Sequence, residues 1–282
     1  MSRQPGLTLK KAFHPDWLIP DWPAPAGVRA VFTSRAGGLS AAPFDSMNMG
    51  DHVGDLSACV AANRALLQRA TGTHAVFLNQ VHGVETLPLD ATSIDAQSAD
   101  ACVTVQRKLA CTIMVADCLP VLLTTQDGDV VAAAHAGWRG LAGVGNSSGS
   151  GILESVYASF SALAQSDRAE QAIKSIAWLG PCIGPSAFEV GEEVKAAFTA
   201  RQPDSVQFFV PAGPGKYLAN LPALARLRLH ALGITQVYGN DGSPAWCTVN
   251  NPSRFFSHRR DAGISGNGFG TTGRMAACIW LD

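Results

Sequence analysis

Apolar residues recur at intervals of three and four in four segments of the chain, a pattern typical of helices that bury one face. The first segment runs from Ser57 to about Gly72 and the second from Ile152 to Ala164. The third begins between Glu189 and Val194 and continues through Phe198, and the fourth covers Leu221 to Leu232. Gly233 follows the fourth segment and is the kind of residue that ends a helix.

Seven shorter apolar runs predict strands, and several of them are apolar without interruption, as in sheets buried on both faces. They are Val76–Leu78, Ala101–Val105, Thr112–Val115, Val121–Thr124, Val130–Ala134, Ile176–Leu179 and Met275–Leu281. Strands and helices interleave without a regular βαβ rhythm. The pattern therefore favours an α+β fold in which helices cover packed sheets, with the polar motifs at strand ends.

Composition narrows the classes of protein that remain. The chain has 282 residues, of which 47% are hydrophobic and 15% charged, and its formal net charge is −1. Such a charge gives no reason to expect nucleic acid as a partner. The sequence has no signal peptide and no apolar stretch long enough to cross a membrane, so we expect a cytoplasmic protein. Seven irregularly spaced cysteines argue against a disulfide framework.

Three segments place metal-binding residue types beside turns. Leu78–Gly83 contains His82, Ala116–Pro120 contains Cys118, and Ala133–Gly140 contains His135. Two imidazoles and one thiolate leave a fourth tetrahedral position open, as in catalytic zinc sites. The separations of 36 and 17 residues form no local metal motif, however. The residues alone therefore leave open the simpler interpretation of hydrogen-bonded histidines and a buried thiol.

Longer motifs surround these three residues in a fixed order. They are Asn79–Gly83, Ala116–Leu123, Ala134–Gly140, Leu179–Pro185 with Phe188–Gly191, and Thr272–Ala276. Together with Thr33–Gly38 they resemble the YfiH family over nearly the whole chain. That family is described variously as multicopper polyphenol oxidases with a laccase domain, as purine nucleoside phosphorylases and as peptidoglycan editing factors.

The resemblance implies a single-domain α/β/β/α sandwich of the YfiH-like type over residues 1–282, with its core at about 28–282. It implies a catalytic zinc held by His82, Cys118 and His135. The implied activity is phosphorolysis of adenosine, inosine, guanosine or methylthioadenosine, with deamination of adenosine as a second reaction. Purine nucleoside and phosphate are then the small-molecule partners, and the oligomeric state is left open.

The chain departs from the family pattern at three places. Gly145–Gly151 and Ala262–Gly270 lengthen two loops, and His258 stands where the family commonly has a tyrosine. Because such loops can border a pocket, we expect these departures to affect substrate preference more than metal binding.

Further candidate site residues follow from the chemistry of phosphorolysis. Arginine binds phosphate through two parallel hydrogen bonds, and Arg35, Arg139 and Arg259 lie in motif segments. Surface or structural ion pairs are the competing interpretation for each. Glu189 and Asp117 are candidate proton carriers, although a carboxylate beside a helix start is commonly a cap.

Asn79, Gln80 and Trp138 are the remaining candidate site residues. Asn79 and Gln80 are candidates for orienting His82, and for contacting substrate, because a metal-bound histidine needs a partner for its other nitrogen. Trp138 is a candidate for stacking on a purine base, with ordinary packing as its alternative.

Three other functions compete with a zinc phosphorylase. A thiol hydrolase or transferase would use Cys118 as nucleophile and His135 as base. Copper is a less favoured cofactor, because seven histidines without a His-x-His pair are too few for a multicopper oxidase. A role in editing cell-wall precursors rests on the family description alone.

Overall fold

A computed structural model of the chain describes residues 13–146, 149–165, 173–261 and 271–282. Six helices and thirteen strands lie in these ranges. The helices are α1 (Ser57–Thr71), α2 (Trp138–Ala142), α3 (Ile152–Gln165), α4 (Glu192–Thr199), α5 (Leu221–Ala231) and α6 (His258–Asp261). Among the described residues, none of these helices has the length and hydropathy of a membrane span.

The strands are short, and several are completely buried. They are β1 (Val28–Phe32), β2 (His74–Phe77), β3 (Thr86–Pro88), β4 (Ala101–Thr104), β5 (Leu109–Val115), β6 (Leu119–Thr125), β7 (Val131–Ala136), β8 (Ser175–Leu179), β9 (Glu189–Gly191), β10 (Phe209–Gly213), β11 (Lys216–Ala219), β12 (Gln236–Gly239) and β13 (Met275–Leu281). Short 3-10 helices cover Pro203–Phe208 and Pro244–Trp246.

Two mixed sheets form the centre of the fold. The four-stranded sheet has the order β1-β13-β5-β2, and the six-stranded sheet has the order β12-β8-β6-β7-β4-β3. Strands β5, β6, β7 and β13 are buried along their whole length. Uninterrupted apolar sequence in these strands is explained by burial on both faces. A smaller third sheet has the order β10-β11-β9.

Helices close the outer faces of the two sheets. Leu67 of α1 packs with Phe77, Met114 and Trp280 in the cluster on the outer face of the four-stranded sheet. Helices α3 and α5 contribute to a second cluster that covers the six-stranded sheet. A third cluster, which includes Phe32 and Trp178, lies between the sheets. The predicted α/β/β/α sandwich is confirmed.

The four predicted helices are found within a few residues of their expected bounds. The third begins at Glu192, inside the expected range, because Glu189 to Gly191 form strand β9, which pairs with β11. Gly191 has extended backbone, so the chain turns into the helix there and not earlier. All seven predicted strands are present. Strands β1, β3 and β9 to β12 were not predicted.

Candidate functional site

Three distant segments bring His82, Cys118 and His135 together. One nitrogen or sulfur atom of each residue lies within 4.8 Å of the others. Cys118 Sγ is 3.8 Å from His82 Nε2, and the two imidazole rings meet edge to face with their centroids 4.8 Å apart. His135 is buried near the end of β7, Cys118 precedes β6, and His82 is exposed in the loop after β2. This grouping is a candidate metal centre.

The turn that carries His82 is organised around the carboxylate of Asp100. Val81, His82 and Gly83 donate their backbone amides to this carboxylate at 3.2, 2.9 and 2.7 Å. The amides converge because His82 has a left-handed φ of 61°, a conformation that costs a non-glycine residue about 1–2 kcal/mol. Charge-assisted hydrogen bonds to successive amides offset that strain, as in anion-binding backbone nests.

Asp100 also holds the second histidine. Its carboxylate oxygen lies 2.8 Å from His135 Nδ1, and its carbonyl accepts the backbone amide of His135 at 2.7 Å. Nδ1 is thereby occupied, which leaves Nε2 of His135 for a metal. The Asp100 side chain is completely buried. Burial raises its pKa, but the hydrogen bonds from His135 and the turn amides outweigh this effect, so the pKa is lowered.

Cys118 and His135 change each other's pKa. Burial raises the pKa of the Cys118 thiol, but His135 and His82 reverse this effect and lower it to about 6. Burial lowers the pKa of His135, and the Cys118 thiolate and Asp100 then raise it to about 9. At neutral pH the metal-free centre therefore contains a thiolate, the form of cysteine that binds metals and acts as a nucleophile.

Asp117 braces the wall of the site beside Cys118. It has a left-handed φ of 88°, and its oxygens accept the Thr248 hydroxyl at 2.5 Å and the Arg259 backbone amide at 2.6 Å. Its carbonyl accepts the amide of Ile183 at 2.9 Å. The carboxylate thus connects the Cys118 loop to the start of α6.

Two motif glycines allow the ligand loops to approach each other. A Cβ atom at Gly137 would lie 3.0 Å from Cys118 Sγ and 3.1 Å from His82 Cδ2. A Cβ atom at Gly140 would lie 2.6 Å from the Gly83 carbonyl oxygen. Side chains at either position would push the His82 turn away from α2 and from the other ligands.

The three candidate ligands open onto a cavity of about 340 Å³. Its apolar lining residues are Met114, Val115, Ala116, Trp138, Ile183, Phe188 and Leu221. Its other polar lining residues are His52, Gln80, Asp117, His258, Arg259 and Arg274. An apolar wall with a few convergent polar groups is typical of a small-molecule site.

The arginines singled out from the sequence lie in different places. Arg259 lines the cavity, and its guanidinium donates to the carbonyls of Ala187 and Glu189. Arg35 lies outside it, where it pairs with Asp45 at 3.2 Å. Arg139 is exposed and stacks on Trp138, with its guanidinium carbon 4.6 Å from the ring centroid.

The other sequence candidates are also separated. Gln80 lines the cavity, and its amide bonds the backbone of Met114 in both directions, at 2.8 and 2.7 Å. Asn79 is exposed and donates to Ser98 instead. The Glu189 carboxylate is half-exposed, 4.0 Å from the Lys216 ammonium, and is not part of the cavity lining.

Asp100 and Arg274 belong to the site but were not among the sequence candidates. Asp100 lies outside all of the motifs, and it is far in sequence from both histidines that it contacts. Arg274 stands in the Thr272–Ala276 motif, so the motif itself was the signal that could have identified it. Gln80 bonds Met114 and not His82, so the contacts expected of the two amides are made by Asp100.

Of the departures from the family pattern, His258 lies at the start of α6 and lines the cavity. Residues 262–270 lie outside the described part of the chain, as do 147 and 148 within the other lengthened loop.

Known proteins are similar to this chain in sequence and in fold. Residues 29–282 match the family model described as multi-copper polyphenol oxidoreductase laccase. A purine nucleoside phosphorylase of Pseudomonas aeruginosa is 44% identical over 94% of this chain and 98% of its own length. The purine nucleoside phosphorylase YfiH of Escherichia coli is 42% identical over the same shares. A Neisseria meningitidis protein of known structure superposes with a TM-score of 0.82 at 42% identity, over 95% of this chain and 99% of that one. The chain therefore belongs to the laccase-like YfiH family.

Proposed function

We propose that the protein is a zinc-dependent purine nucleoside phosphorylase that also deaminates adenosine. The observation that carries this proposal is the cluster of His82, Cys118 and His135 at the wall of a cavity of about 340 Å³. The names of the relatives from Pseudomonas aeruginosa and Escherichia coli support the phosphorylase part of this proposal.

The donor set suits zinc. Bond lengths of about 2.0 Å to nitrogen and 2.3 Å to sulfur place tetrahedral ligands roughly 3.3–3.6 Å apart. The separation of 3.8 Å between Cys118 Sγ and His82 Nε2 is close to that spacing. Three protein ligands leave a fourth position, where zinc would lower the pKa of a bound water toward about 7. Such a water is the nucleophile that deamination at the purine ring requires.

Phosphorolysis makes a different demand on the cavity. An oxygen of phosphate forms a bond to C1′ of the ribose while the bond from C1′ to the purine nitrogen breaks. The electron pair of that bond stays on the purine, which takes up a proton and leaves as the free base. The cavity must therefore hold a purine, a ribose and an anion together and stabilise an oxocarbenium-like state.

The lining of the cavity matches these parts. Trp138 and Phe188 provide aromatic surface for a purine, and Arg259 provides a cation for phosphate. Asp117 is the better placed of the two candidate proton carriers, because it lines the cavity and Glu189 does not. The apolar wall also accommodates the methylthio group of methylthioadenosine.

One observation favours a second candidate function. Cys118 has a pKa of about 6 in the metal-free centre, and His135 lies beside it, as a thiol hydrolase or transferase requires. The two proposals differ in their response to metal. A zinc enzyme loses activity with a chelator and regains it with zinc, whereas a thiol enzyme resists the chelator and is inactivated by alkylation.

The decisive experiment incubates the purified protein with adenosine, inosine, guanosine and methylthioadenosine, with and without phosphate. We expect free base and ribose 1-phosphate (or its methylthio analogue) only when phosphate is present, and inosine from adenosine in either case. His82→Ala is expected to abolish both reactions. Product formation by His82→Ala at the wild-type rate, or no product from wild type, contradicts the proposal. Zinc, copper and manganese added back separately to chelated protein identify the metal that supports activity.

A further inference from the structure

Arg274 is a half-buried cation in the wall of the cavity that holds the candidate metal ligands. Its Nη1 donates to the carbonyls of Thr272 and Gly273, at 2.8 and 3.3 Å. It forms no ion pair with any carboxylate in the described ranges, unlike Arg64, which pairs with Asp51 at 3.2 Å. Burial lowers the pKa of Arg274, and the nearby Cys118 and Asp117 offset this effect only in part.

The position of Arg274 is fixed from two sides. The buried Asn48 accepts the backbone amide of Arg274 at 2.9 Å and that of Gly50 at 2.8 Å through the same side-chain oxygen. A Cβ atom at Gly50 would lie 2.8 Å from Cγ of Arg274, so the aliphatic stem packs directly on the glycine backbone. The guanidinium is therefore held in place before any ligand binds, which reduces the entropy lost on binding.

Several other polar side chains line the cavity around Arg274. His52, His258 and Arg259 line the same cavity, and in the described part of the chain Asp117 is its one lining carboxylate. Both oxygens of Asp117 already accept hydrogen bonds from Thr248 and Arg259. Neither oxygen of Asp117 accepts a hydrogen bond from the Arg274 guanidinium, which therefore keeps donors for a ligand.

We propose that Arg274 is the principal residue of an anion subsite in this cavity, which binds inorganic phosphate as the co-substrate. This proposal rests on the proposed phosphorylase function, and it assigns the phosphate to a residue outside the three arginines suggested by the sequence. The planar guanidinium can donate two parallel hydrogen bonds to a phosphate, from nitrogens not engaged by the Thr272 and Gly273 carbonyls.

The test compares Arg274→Gln with wild type by calorimetric titration with inorganic phosphate and by the phosphate KM of phosphorolysis. We expect phosphate to bind about 10- to 100-fold more weakly to the variant, because a charge-assisted contact is lost. Arg274→Lys should recover part of the binding, since it keeps the charge but not the planar fork. Arg69→Gln, in an exposed part of α1, removes the same charge outside the cavity and is expected to bind phosphate as wild type does.

Two measurements separate the possible failures. Zinc content and thermal unfolding of each variant show whether the fold and the metal centre survive. If Arg274→Gln does not fold, the same titrations are made with Arg274→Lys and with Gly50→Ala, which displaces the Arg274 stem. Wild type that binds phosphate but releases no ribose 1-phosphate refutes the phosphorylase and leaves the subsite intact. Undiminished phosphate binding by folded Arg274→Gln, or no phosphate binding by wild type, overturns the subsite whatever the activity.

Discussion

Asp100 is the residue on which the geometry of two candidate ligands depends. Its carboxylate accepts three turn amides around His82 and also contacts His135 Nδ1. In Asp100→Asn an NH₂ group replaces one acceptor, so some of these contacts become repulsive. We expect zinc affinity to fall about 10- to 100-fold, the usual effect of losing such a partner. Competition with a chromogenic chelator measures it.

The matched control for this prediction is Asp90→Asn, which makes the same change at an exposed turn. Its zinc affinity should equal that of wild type. Equal zinc affinity of Asp100→Asn and wild type would show that the carboxylate does not position the ligands.

Sequence reasoning singled out the three clustered candidate ligands but not Asp100, and the reason is physical. A ligand is recognised by its residue type and its motif, whereas a supporting carboxylate is defined by contacts that only the folded chain creates. Asp100 is 18 residues from His82 and 35 from His135. The amides of Asn79 and Gln80 were closer in sequence, but they bond Ser98 and Met114.

The metal-free thiol gives a prediction of pH dependence. With a pKa of about 6, Cys118 is mostly thiolate at pH 7, whereas an ordinary thiol titrates near pH 8.5. In chelated protein, alkylation by iodoacetamide should therefore increase between about pH 5 and 7 and then level off. The fast reaction should disappear in Cys118→Ser and on addition of zinc. An alkylation rate that still rises steeply above pH 8 would contradict the lowered pKa.

At the scale of elements, the long amphipathic helices and the fully buried strands were predictable because a periodic pattern specifies them. Strands β3 and β10 were not predicted. Strand β3 has three residues, and four of the five residues of β10 are exposed, so neither has a buried pattern to detect. Strand β9 has three residues directly before α4, and its pairing with β11 decides its conformation.

The junction between the His82 loop and β5 depends on one side chain. The Gln80 amide donates to and accepts from the backbone of Met114, near the end of β5. Gln80→Ala leaves both backbone groups without this partner, and we expect it to lower the free energy of unfolding by about 1–3 kcal/mol. Asn79→Ala, which removes an exposed amide, should cost less than about 1 kcal/mol. Urea unfolding compares the two, and equal losses would refute the role of Gln80.

At the scale of the whole molecule, the candidate metal centre connects three parts of the chain that are distant in sequence. His82 follows β2 of the four-stranded sheet, while Cys118 directly precedes β6 and His135 lies in β7 of the six-stranded sheet. The three ligands come together only when both sheets are packed. A metal bound there therefore stabilises the folded state against the unfolded chain, in which the ligands are dispersed.

This coupling predicts a metal-dependent melting temperature. Zinc at 100 times its Kd adds about 2.7 kcal/mol to the stability of the folded state. For a chain of this size that corresponds to a rise in Tm of roughly 5–10 °C. Scanning calorimetry of chelated and zinc-loaded protein measures the shift, which should shrink in His82→Ala because one ligand is missing. A Tm that does not respond to zinc in wild type would mean that the three residues do not form a metal site, and would leave the thiol chemistry of Cys118 as the surviving explanation of the cluster.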